Sequence, residues 1–235
     1  MITVELPHAV AVFTTRDGGV SQGPYASLNV GVLTGDEPAN VMENRRLLAE
    51  QVGLDPAAIA MGRQVHGVAI ERWGAPPDRD RHGFTNPEAA FPEVDGHTTT
   101  RHGLGLVVQG ADCFPVALAS PLRVAMLHCG WRSVADGIVE HALNLFETSP
   151  TAVVGPGIGS CCFEVGQDVA SQFEEPAVSD GMLDLRGVIA AKLHGAGVQT
   201  VEHVYMCTSC REDLFFSYRR DGGVTGRQCG IVWRP

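Results

Sequence analysis

Two short apolar runs separated by a polar turn form the most distinct pattern along the chain. The runs span residues 114–119 and 124–127, and the Ser-Pro-Leu-Arg tetrapeptide at 120–123 has the composition of a tight turn. This pattern predicts two short antiparallel strands that form a hairpin, with the first residue of the turn opposite the last.

The predicted hairpin register brings a cysteine and a histidine together. Cys113 lies opposite Gly130 and Pro115 lies opposite His128, so Cys113 and His128 are diagonal neighbours on one face of the hairpin. A thiol and an imidazole at the open end of a hairpin are typical of a functional site. The structural alternative is a buried cysteine next to a hydrogen-bonded histidine.

Hydrophobic periodicity and breaker residues predict the other elements. Strands are predicted at 9–14, 68–73, 104–108, 152–154, 198–204 and 231–233, and helices at 38–52, 133–146 and 184–196. Segment 74–92 contains four prolines and several charges, which predicts a long surface loop and a candidate lid. Many strands of mixed spacing with few helices indicate an α+β (mixed α/β) fold, in which a central mixed β-sheet core is flanked by helices.

Length and charge narrow the functional classes. The 235 residues, of which 44% are hydrophobic, predict a single domain over 1–235, because no shift in composition marks a linker. The formal net charge is −10 and no long basic run is present, which argues against nucleic-acid binding. A few local arginines could still bind a small anionic ligand. No apolar run approaches the ~20 residues that span a bilayer, so no membrane partner is expected.

Cysteine usage and the N-terminus predict a reducing, cytoplasmic environment. The cysteines number seven, Cys161 and Cys162 are adjacent, and the N-terminus lacks the pattern of a secretory signal. The Cys207-Thr-Ser-Cys210 motif could ligate a metal ion. A structural zinc requires four ligands, however, and only Cys229 is left over in this region, so the ligand count argues against a zinc site here.

A third residue decides between two kinds of site at the hairpin. Cys113 and His128 suit either a Cys-His nucleophilic pair or two thirds of a zinc site. His66 is the best third candidate, because it lies at the start of a predicted strand, where its side chain can project from the edge of a sheet. His97 and His102 are rival candidates.

Motifs that run nearly from end to end resemble one protein family. In chain order they are TTRDGGVSQGPYASLNVG, the pairs Gly35-Asp36 and Asn44-Arg45, QVHG, DGHTT, ADCFPV, HCGWRS, GPGIGSCCFEVG, CTSC, FFSYRRDGG and GRQCGIVW. On these motifs the chain is identified as a member of the YfiH-like family. Proteins of this family are named multicopper polyphenol oxidase (laccase-type), peptidoglycan editing factor or purine nucleoside phosphorylase.

The resemblance implies a catalytic zinc bound by His66, Cys113 and His128, with copper (Cu²⁺) as a rival metal. Two imidazoles and a thiolate leave one open position on a tetrahedral zinc, which is typical of catalytic rather than structural sites. The implied activities are phosphorolysis of adenosine, inosine and methylthioadenosine to base and ribose 1-phosphate, and deamination of adenosine. The expected partners are therefore small molecules, a purine nucleoside and phosphate.

The same resemblance suggests further catalytic and substrate-binding residues. Asp95 is the candidate general acid/base, or else it orients a ligand histidine. Guanidinium groups pair strongly with anions such as phosphate, because they donate two parallel hydrogen bonds. The candidates for substrate contacts, with the first of them favoured, are Arg132, Arg45, Arg63, Gln64, Arg219 and Arg220.

Two other enzyme classes compete with this hypothesis, and a non-enzymatic binding module ranks last. A hydrolase that edits a peptidoglycan precursor would use either the zinc or Cys113 as nucleophile with His128 as base. A laccase-type polyphenol oxidase would use copper, which binds nitrogen and sulfur ligands more tightly than zinc does. The chain contains nine histidines but no His-x-His pair, which disfavours a four-copper cluster within one subunit.

Overall fold

The fold is assembled from short strands and a few helices. The computed structural model describes residues 1–78, 83–89, 91–174 and 177–235. Within these residues the strands, in chain order, are β1 (Ile2–Leu6), β2 (Ala9–Phe13), β3 (Ile59–Ala60), β4 (Ile70–Trp73), β5 (Gly96–Thr99), β6 (Gly105–Gly110), β7 (Phe114–Ala119), β8 (Val124–Cys129), β9 (Thr151–Val154), β10 (Val178–Ser179), β11 (Met182–Leu183), β12 (Val201–His203) and β13 (Gln228–Trp233).

The helices of the same ranges are short, apart from the first and the last. They are α1 (Pro38–Val52), α2 (Trp131–Ala135), α3 (Ile138–Leu143), α4 (Gln167–Ala170) and α5 (Leu185–Gly195), with 3-10 helices at Gly23–Tyr25 and Pro56–Ala58. In the described part of the chain, none of them has the length and apolar character that crossing a membrane requires.

Two mixed β-sheets form the centre of the fold. The five-stranded sheet has the order β1-β2-β13-β6-β3, in which only the β3-β6 pair is parallel. The six-stranded sheet has the order β12-β9-β7-β8-β5-β4, and its two outermost pairs are parallel. The predicted mixed α/β class with flanking helices is therefore confirmed, and its sheet core consists of two sheets.

The two sheets share an apolar layer, and helices cover their outer faces. Successive side chains of a strand point to opposite faces, so β7 contributes to two different cores. Ala117 joins the cluster between the sheets, together with Phe13 of β2. Its neighbour Val116 joins the opposite cluster, which includes Ile138 of α3 and Ile189 of α5. On the far side α1 covers the five-stranded sheet, which gives the order helix, sheet, sheet, helix.

The predicted hairpin is present in the predicted register. Strands β7 and β8 are antiparallel, Pro115 pairs with His128, and the Ser120 N–H donates to the Arg123 carbonyl oxygen at 2.8 Å. The first and last predicted helices correspond to α1 and α5. Gly53 ends α1 in a left-handed conformation with φ of 70°, as expected for a glycine that follows a helix.

The single helix predicted at 133–146 is wrong, because a glycine interrupts it. Gly137 has φ of 93°, a left-handed conformation that ends α2, and α3 begins at the next residue. Ser133, the predicted cap, lies inside α2, whose N-cap position is held by Gly130. The hairpin therefore leads into a bent pair of short helices.

The segment predicted as a surface loop, 74–92, is anchored in the core where the structure describes it. Residues 79–82 and 90 lie outside the described residues. Phe84 is 1% exposed and packs in the cluster beneath α1, and Ala89 is also buried. The predicted strands at 68–73 and 198–204 shorten to β4 and β12, and the pattern does not predict β1 or β5.

Candidate metal centre and substrate cavity

Three side chains from distant parts of the sequence meet at the open end of the β7-β8 hairpin. The ligand atoms of His66, Cys113 and His128 all lie within 4.8 Å of one another. His66 Nε2 is 3.9 Å from Cys113 Sγ, and the two imidazole rings meet edge to face with centroids 4.9 Å apart. The structure thus brings together the three residues that the sequence analysis singled out.

The two rival histidines lie elsewhere. His97 is fully buried in β5, where its Nδ1 accepts a hydrogen bond from Trp73 Nε1 at 3.1 Å, and burial lowers the pKa of His97 to about 4. His102 Nδ1 lies 2.6 Å from the Pro235 carbonyl oxygen at the surface. Among the described residues, neither belongs to a group of potential metal ligands with Cys113.

A buried carboxylate, Asp95, fixes both histidines of the cluster. Its Oδ1 lies 2.8 Å from His128 Nδ1 and accepts the N–H of His66 at 3.0 Å. Its Oδ2 accepts the N–H groups of Val65 and Gly67 at 3.1 and 2.7 Å. The contact with Nδ1 leaves Nε2 of His128 to face the cluster. Because both carboxylate oxygens are occupied, the geometry favours the orienting role for Asp95 over the general acid/base role.

Gln64 holds the loop that carries His66 against β6. Gln64 Nε2 donates to the Gln109 carbonyl oxygen at 2.7 Å, and the Gln109 N–H donates to Gln64 Oε1 at 2.8 Å. His66 itself has φ of 60°, a left-handed conformation that non-glycine residues adopt only where their surroundings enforce it. These two hydrogen bonds give Gln64 a positioning role. Gln64 also lines the cavity described below, and its substrate contact stays a prediction.

Gly130 leaves the space that the cluster occupies. A Cβ atom at this position would lie 2.9 Å from His66 Cδ2 and 3.0 Å from Cys113 Sγ. Its backbone angles, φ of −80° and ψ of 165°, are ordinary for any residue. The glycine is therefore required by the neighbouring side chains and not by the backbone conformation.

The close approach of thiol and imidazoles perturbs their ionisation. Burial opposes ionisation of the Cys113 thiol, but the adjacent His128 and His66 outweigh it and lower the pKa of Cys113 to about 6. Burial likewise opposes protonation of His128, but Cys113 and Asp95 outweigh it and raise the pKa of His128 to about 9. A thiolate, the form of cysteine that binds metals and attacks electrophiles, is therefore favoured at neutral pH.

These donors fit a catalytic zinc site. Imidazole nitrogen and thiolate sulfur are preferred zinc ligands, and three of them leave a fourth tetrahedral position open. His66 is exposed and Cys113 is half-buried, so the cluster faces solvent on one side. His128 contacts a carboxylate through its other ring nitrogen, as zinc-bound histidines usually do.

A cavity of about 600 Å³ opens in front of the cluster. Small-molecule sites typically have volumes of roughly 300–1,000 Å³, so a nucleoside-sized ligand fits. The aromatic and cationic residues on its walls are Phe91, Trp131, Phe163, Tyr218, Arg45, Arg63, Arg132, Arg219 and Arg227. Five of the six predicted substrate-contact residues therefore line the cavity: Arg132, Arg45, Arg63, Gln64 and Arg219.

Arg227 is a cavity residue that the sequence analysis missed. Its guanidinium carbon is 5.8 Å from the centroid of the Tyr218 ring, and its Nη1 donates to the carbonyl oxygens of Thr225 and Gly226. Burial lowers the pKa of Arg227, while the nearby Cys113 opposes that shift. Arg227 and Tyr218 both lie in motifs that carry the family resemblance, and this was the available signal.

Arg132 lines the cavity with a guanidinium that has few protein partners. It stacks 4.2 Å from the centroid of the Trp131 ring and makes no hydrogen bond or ion pair with any residue in the described ranges. Arg63, at the rim, lies 3.4 Å from Glu93 in an exposed ion pair. Of the two, Arg132 is the better placed to receive an anion without losing an existing partner.

Arg45 is buried beneath one wall of the cavity. Its guanidinium donates to the carbonyl oxygens of Val30, Phe84 and Gly83, which ties α1 to two loops. Burial lowers the pKa of Arg45 to about 10, so the group stays charged at neutral pH. Its Nη2 is buried and has no hydrogen-bond partner among the described residues.

The two neighbouring arginines of the FFSYRRDGG motif differ in position. Arg219 lines the cavity, and its Nη1 donates to the Glu164 carbonyl oxygen at 2.8 Å. Arg220 does not line the cavity. Its guanidinium pairs with Asp221 and donates to the carbonyl oxygens of Thr208 and other loop residues. This arrangement does not support the predicted substrate contact for Arg220, because its donors are already used.

The chain is similar over nearly its whole length to named proteins. Residues 10–235 match a family model described as multi-copper polyphenol oxidoreductase laccase. The purine nucleoside phosphorylase YlmD of Geobacillus stearothermophilus is 37% identical over 250 residues, covering 96% of this chain and 90% of the relative. The purine nucleoside phosphorylase YfiH of Shigella flexneri is 32% identical, covering 97% and 95%. The crystal structure of the Geobacillus YlmD aligns with a TM-score of 0.90 at 36% identity, over 97% of this chain and 93% of that chain.

Proposed function

This chain belongs to the family described as multi-copper polyphenol oxidoreductase laccase, and we propose that it is a zinc-dependent purine nucleoside phosphorylase. The observation that carries the proposal is the convergence of His66, Cys113 and His128 on one wall of an arginine-lined cavity. Relatives named purine nucleoside phosphorylases support it. The proposed reactions are phosphorolysis of adenosine, inosine and methylthioadenosine, and deamination of adenosine.

The three clustered side chains would hold the zinc through His66 Nε2, Cys113 Sγ and His128 Nε2. A zinc ion at such a site polarises a substrate oxygen and lowers the pKa of a water molecule to about 7. Asp95 fixes the orientation of His128 and the backbone of the His66 loop, so that both imidazoles are in place before substrate binds. Gly130 keeps the space between His66 and Cys113 clear.

Phosphorolysis requires one site for phosphate and another for the purine. A phosphate oxygen bonds to C1′ of the ribose while the glycosidic bond breaks, and the electron pair of that bond leaves with the purine, which takes up a proton. Arg132 supplies a charged donor for phosphate, and the buried, charged Arg45 adds positive potential beneath one wall of the cavity. Trp131, Phe163 and Tyr218 supply aromatic surface against which a purine can pack.

Replacing Arg132 tests the phosphate site. Arg132→Ala should raise KM for phosphate about 10- to 100-fold, because a charge-assisted hydrogen bond contributes about 1.5–3 kcal/mol, while KM for adenosine should change little. Arg132→Lys keeps the charge without the bidentate geometry and should give an intermediate KM. The matched control is Arg46→Ala, which removes an exposed arginine of α1 paired with Glu43 and Glu50 and should leave both values unchanged. Equal changes in both KM values for Arg132→Ala would contradict this role.

Product analysis tests the proposed reaction itself. Zinc-loaded protein incubated with adenosine and phosphate should yield adenine and ribose 1-phosphate, and omission of phosphate should abolish adenine formation. Deamination should form inosine in both incubations, because water is then the second substrate. With phosphate present, part of this inosine should be cleaved further to hypoxanthine and ribose 1-phosphate. Chromatography of the products measures both reactions. Formation of neither product by zinc-loaded protein would contradict the proposal.

A cysteine hydrolase that edits a peptidoglycan precursor is the second candidate. The observation that favours it is the position of Cys113 beside His128, with their ligand atoms within 4.8 Å. His128 lowers the pKa of Cys113 to about 6 and Cys113 raises the pKa of His128 to about 9, which favours a thiolate-imidazolium pair. In this alternative Cys113 forms a covalent acyl-enzyme and His128 protonates the leaving group. Mass spectrometry of an acylated Cys113 after incubation with the precursor, in protein without metal, would favour the hydrolase.

A copper-dependent polyphenol oxidase is the third candidate, and the description of the family favours it. Two imidazoles and one thiolate also suit a single copper ion. In the described part of the chain the groups of three or more potential ligands are this cluster and a group of four cysteines, which do not supply the histidines of a four-copper centre. Steady oxygen uptake with a phenol and copper-loaded protein, without phosphorolysis by zinc-loaded protein, would favour the oxidase.

A further inference from the structure

Outside the proposed substrate site, four cysteine thiols form a second cluster. Cys161 and Cys162 follow β9, Cys207 and Cys210 follow β12, and these two strands are parallel neighbours at one edge of the six-stranded sheet. The four sulfur atoms all lie within 4.8 Å of one another. Cys210 Sγ is 3.4 Å from Cys162 Sγ and 3.5 Å from Cys161 Sγ. All four thiols are free.

The spacing of these sulfur atoms suits a shared metal ion. At a Zn–S distance of about 2.3 Å, the sulfurs of a tetrahedral tetrathiolate lie about 3.8 Å apart, whereas a disulfide requires about 2.05 Å. Four soft sulfur ligands in tetrahedral order select zinc or iron, and hard cations such as Mg²⁺ are not bound by them. We propose that Cys161, Cys162, Cys207 and Cys210 bind a structural zinc ion, separate from the site at Cys113.

Gly159 supports the cluster in two ways. Its N–H donates to Cys207 Sγ at 3.2 Å, and a backbone donor of this kind stabilises a thiolate ligand. A Cβ atom at Gly159 would lie 3.2 Å from Cys161 Sγ, which is tighter than ordinary contacts, so the absence of a side chain makes room for that sulfur. The Cys162 N–H donates to the Gly159 carbonyl oxygen at 2.9 Å and closes the turn.

Two arginines donate hydrogen bonds to the two turns that carry the cysteines. Arg220 donates to the carbonyl oxygens of Thr208 and Ser209, between the two cysteines of the CTSC motif, and its charge is balanced by Asp221. Arg219 donates to the carbonyl oxygen of Glu164, in the turn that carries Cys161 and Cys162. Zinc with four thiolates carries a net charge of about −2, which the guanidinium of Arg219 partly offsets.

Asp112 connects the cysteine cluster to the substrate cavity. Its Oδ1 accepts from Thr208 Oγ1 at 2.7 Å, and its Oδ2 accepts the Arg219 N–H at 2.8 Å. Asp112 directly precedes Cys113, and Arg219 and Phe163 line the cavity. A zinc ion that joins the two cysteine turns would therefore fix the wall of the cavity next to Cys113. This role is structural, because all four ligand positions are filled.

The ligand count in the sequence analysis missed this site. It weighed Cys229 as the only further cysteine near the CTSC motif, but Cys229 is buried in β13, where its Sγ contacts Thr14 Oγ1 at 3.9 Å. The remaining two sulfurs come from Cys161 and Cys162, in the loop that follows the neighbouring strand β9. Parallel pairing of β9 with β12 brings the two pairs together, and local spacing does not reveal it.

Metal analysis of the intact protein and two reciprocal variants tests the proposal. Wild-type protein purified with zinc should contain about two zinc ions per chain, and Cys207→Ser/Cys210→Ser should contain about one. His66→Ala/Cys113→Ser should also contain about one, which resides in the thiol cluster. Ser209→Ala, between the two cysteines of the motif, is the matched control and should keep about two.

Cobalt substitution identifies the ligands of the retained ion. Charge-transfer absorption from thiolate to cobalt grows with the number of sulfur ligands. The two sites together supply five thiolate ligands, four in the cluster and one from Cys113. Cys207→Ser/Cys210→Ser should lose the cluster ion and with it four of the five, so the absorption should fall about fivefold. His66→Ala/Cys113→Ser should lose one of the five, so the absorption should fall by only about a fifth. The second variant leaves the thiol cluster intact, so the result stands even where the first fails to fold.

Three results would overturn the proposal. The first is about one zinc ion per wild-type chain that is lost in His66→Ala/Cys113→Ser. The second is a disulfide between Cys210 and Cys161 or Cys162 in protein purified without oxidant, detected by alkylation and mass spectrometry. The third is iron in place of zinc after growth with both metals.

Discussion

Metal removal, or replacement of His66 by alanine, should lower kcat/KM for adenosine phosphorolysis by at least about 10³-fold. Metal ions contribute several kcal/mol of transition-state stabilisation, and about 4 kcal/mol corresponds to 10³-fold in rate. His66 supplies one of the three clustered ligand atoms and lies on the exposed side, so His66→Ala removes a ligand without emptying a core position. Steady-state rates of the variant, and of chelator-treated protein before and after zinc addition, measure the effect.

Metal removal also separates a zinc enzyme from a cysteine hydrolase, when activity on adenosine and on the peptidoglycan precursor is measured side by side. His128 and His66 outweigh burial and lower the pKa of Cys113 to about 6, so the thiolate predominates at pH above that value even without metal. A Cys113 nucleophile would therefore stay active after chelation. His102→Ala is the matched control, since it removes an exposed histidine that contacts the Pro235 carbonyl oxygen, and it should retain wild-type activity. Unchanged phosphorolysis by metal-free protein would contradict the zinc enzyme.

The hairpin could be predicted from sequence because its determinants are local. Two apolar runs and a four-residue turn define the register, and the register alone places Cys113 diagonally from His128. The helix over 38–52 is local in the same sense, because a proline begins it and Gly53 ends it. Where neighbouring residues specify both the element and its ends, pattern and structure agree.

Strand β5 could not be predicted, because tertiary contacts override its composition. Gly96 to Thr99 read as a polar cluster, yet all four residues are buried between β4 and β8. The hydroxyl groups are satisfied by distant carbonyls, since Thr98 donates to Val124 and Thr99 donates to Trp73. Such partners make a polar strand stable in a core, and they are not visible in the sequence pattern.

The positioning of the site is likewise a long-range property. The sequence offered Asp95 two roles, and the structure favours one through contacts to a loop about thirty residues earlier and to β8. The sequence also pointed to Arg220 as a substrate contact, but packing turns its guanidinium towards the CTSC turn. The charge of an arginine does not show whether it binds a ligand or donates hydrogen bonds to a loop of the protein.

Gly130→Ala should lower kcat/KM by about 100-fold or more without unfolding the protein. The new Cβ would lie 2.9 Å from His66 Cδ2 and 3.0 Å from Cys113 Sγ, so at least one of these side chains must move. Displacements of about 1 Å at a reacting centre can reduce rates by about 10²-fold. Backbone angles of φ −80° and ψ 165° suit alanine, so the thermal midpoint should change little. The displaced ligand should also weaken zinc binding at this cluster. Steady-state rates, thermal melting and zinc content measure these three expected effects.

The matched control for Gly130→Ala separates a local clash from a general effect of adding a methyl group. A Cβ at Gly195, in the last turn of α5, meets no heavy atom within 4 Å. Gly195→Ala should therefore retain full activity and zinc, with a small gain in stability because alanine favours a helix by up to about 1 kcal/mol. Loss of the zinc held by His66, Cys113 and His128 in Gly130→Ala, with the thermal midpoint preserved, would link the rate to ligand position. Full activity of Gly130→Ala would mean that catalysis does not depend on the geometry of this cluster, and the proposed function would fail with it.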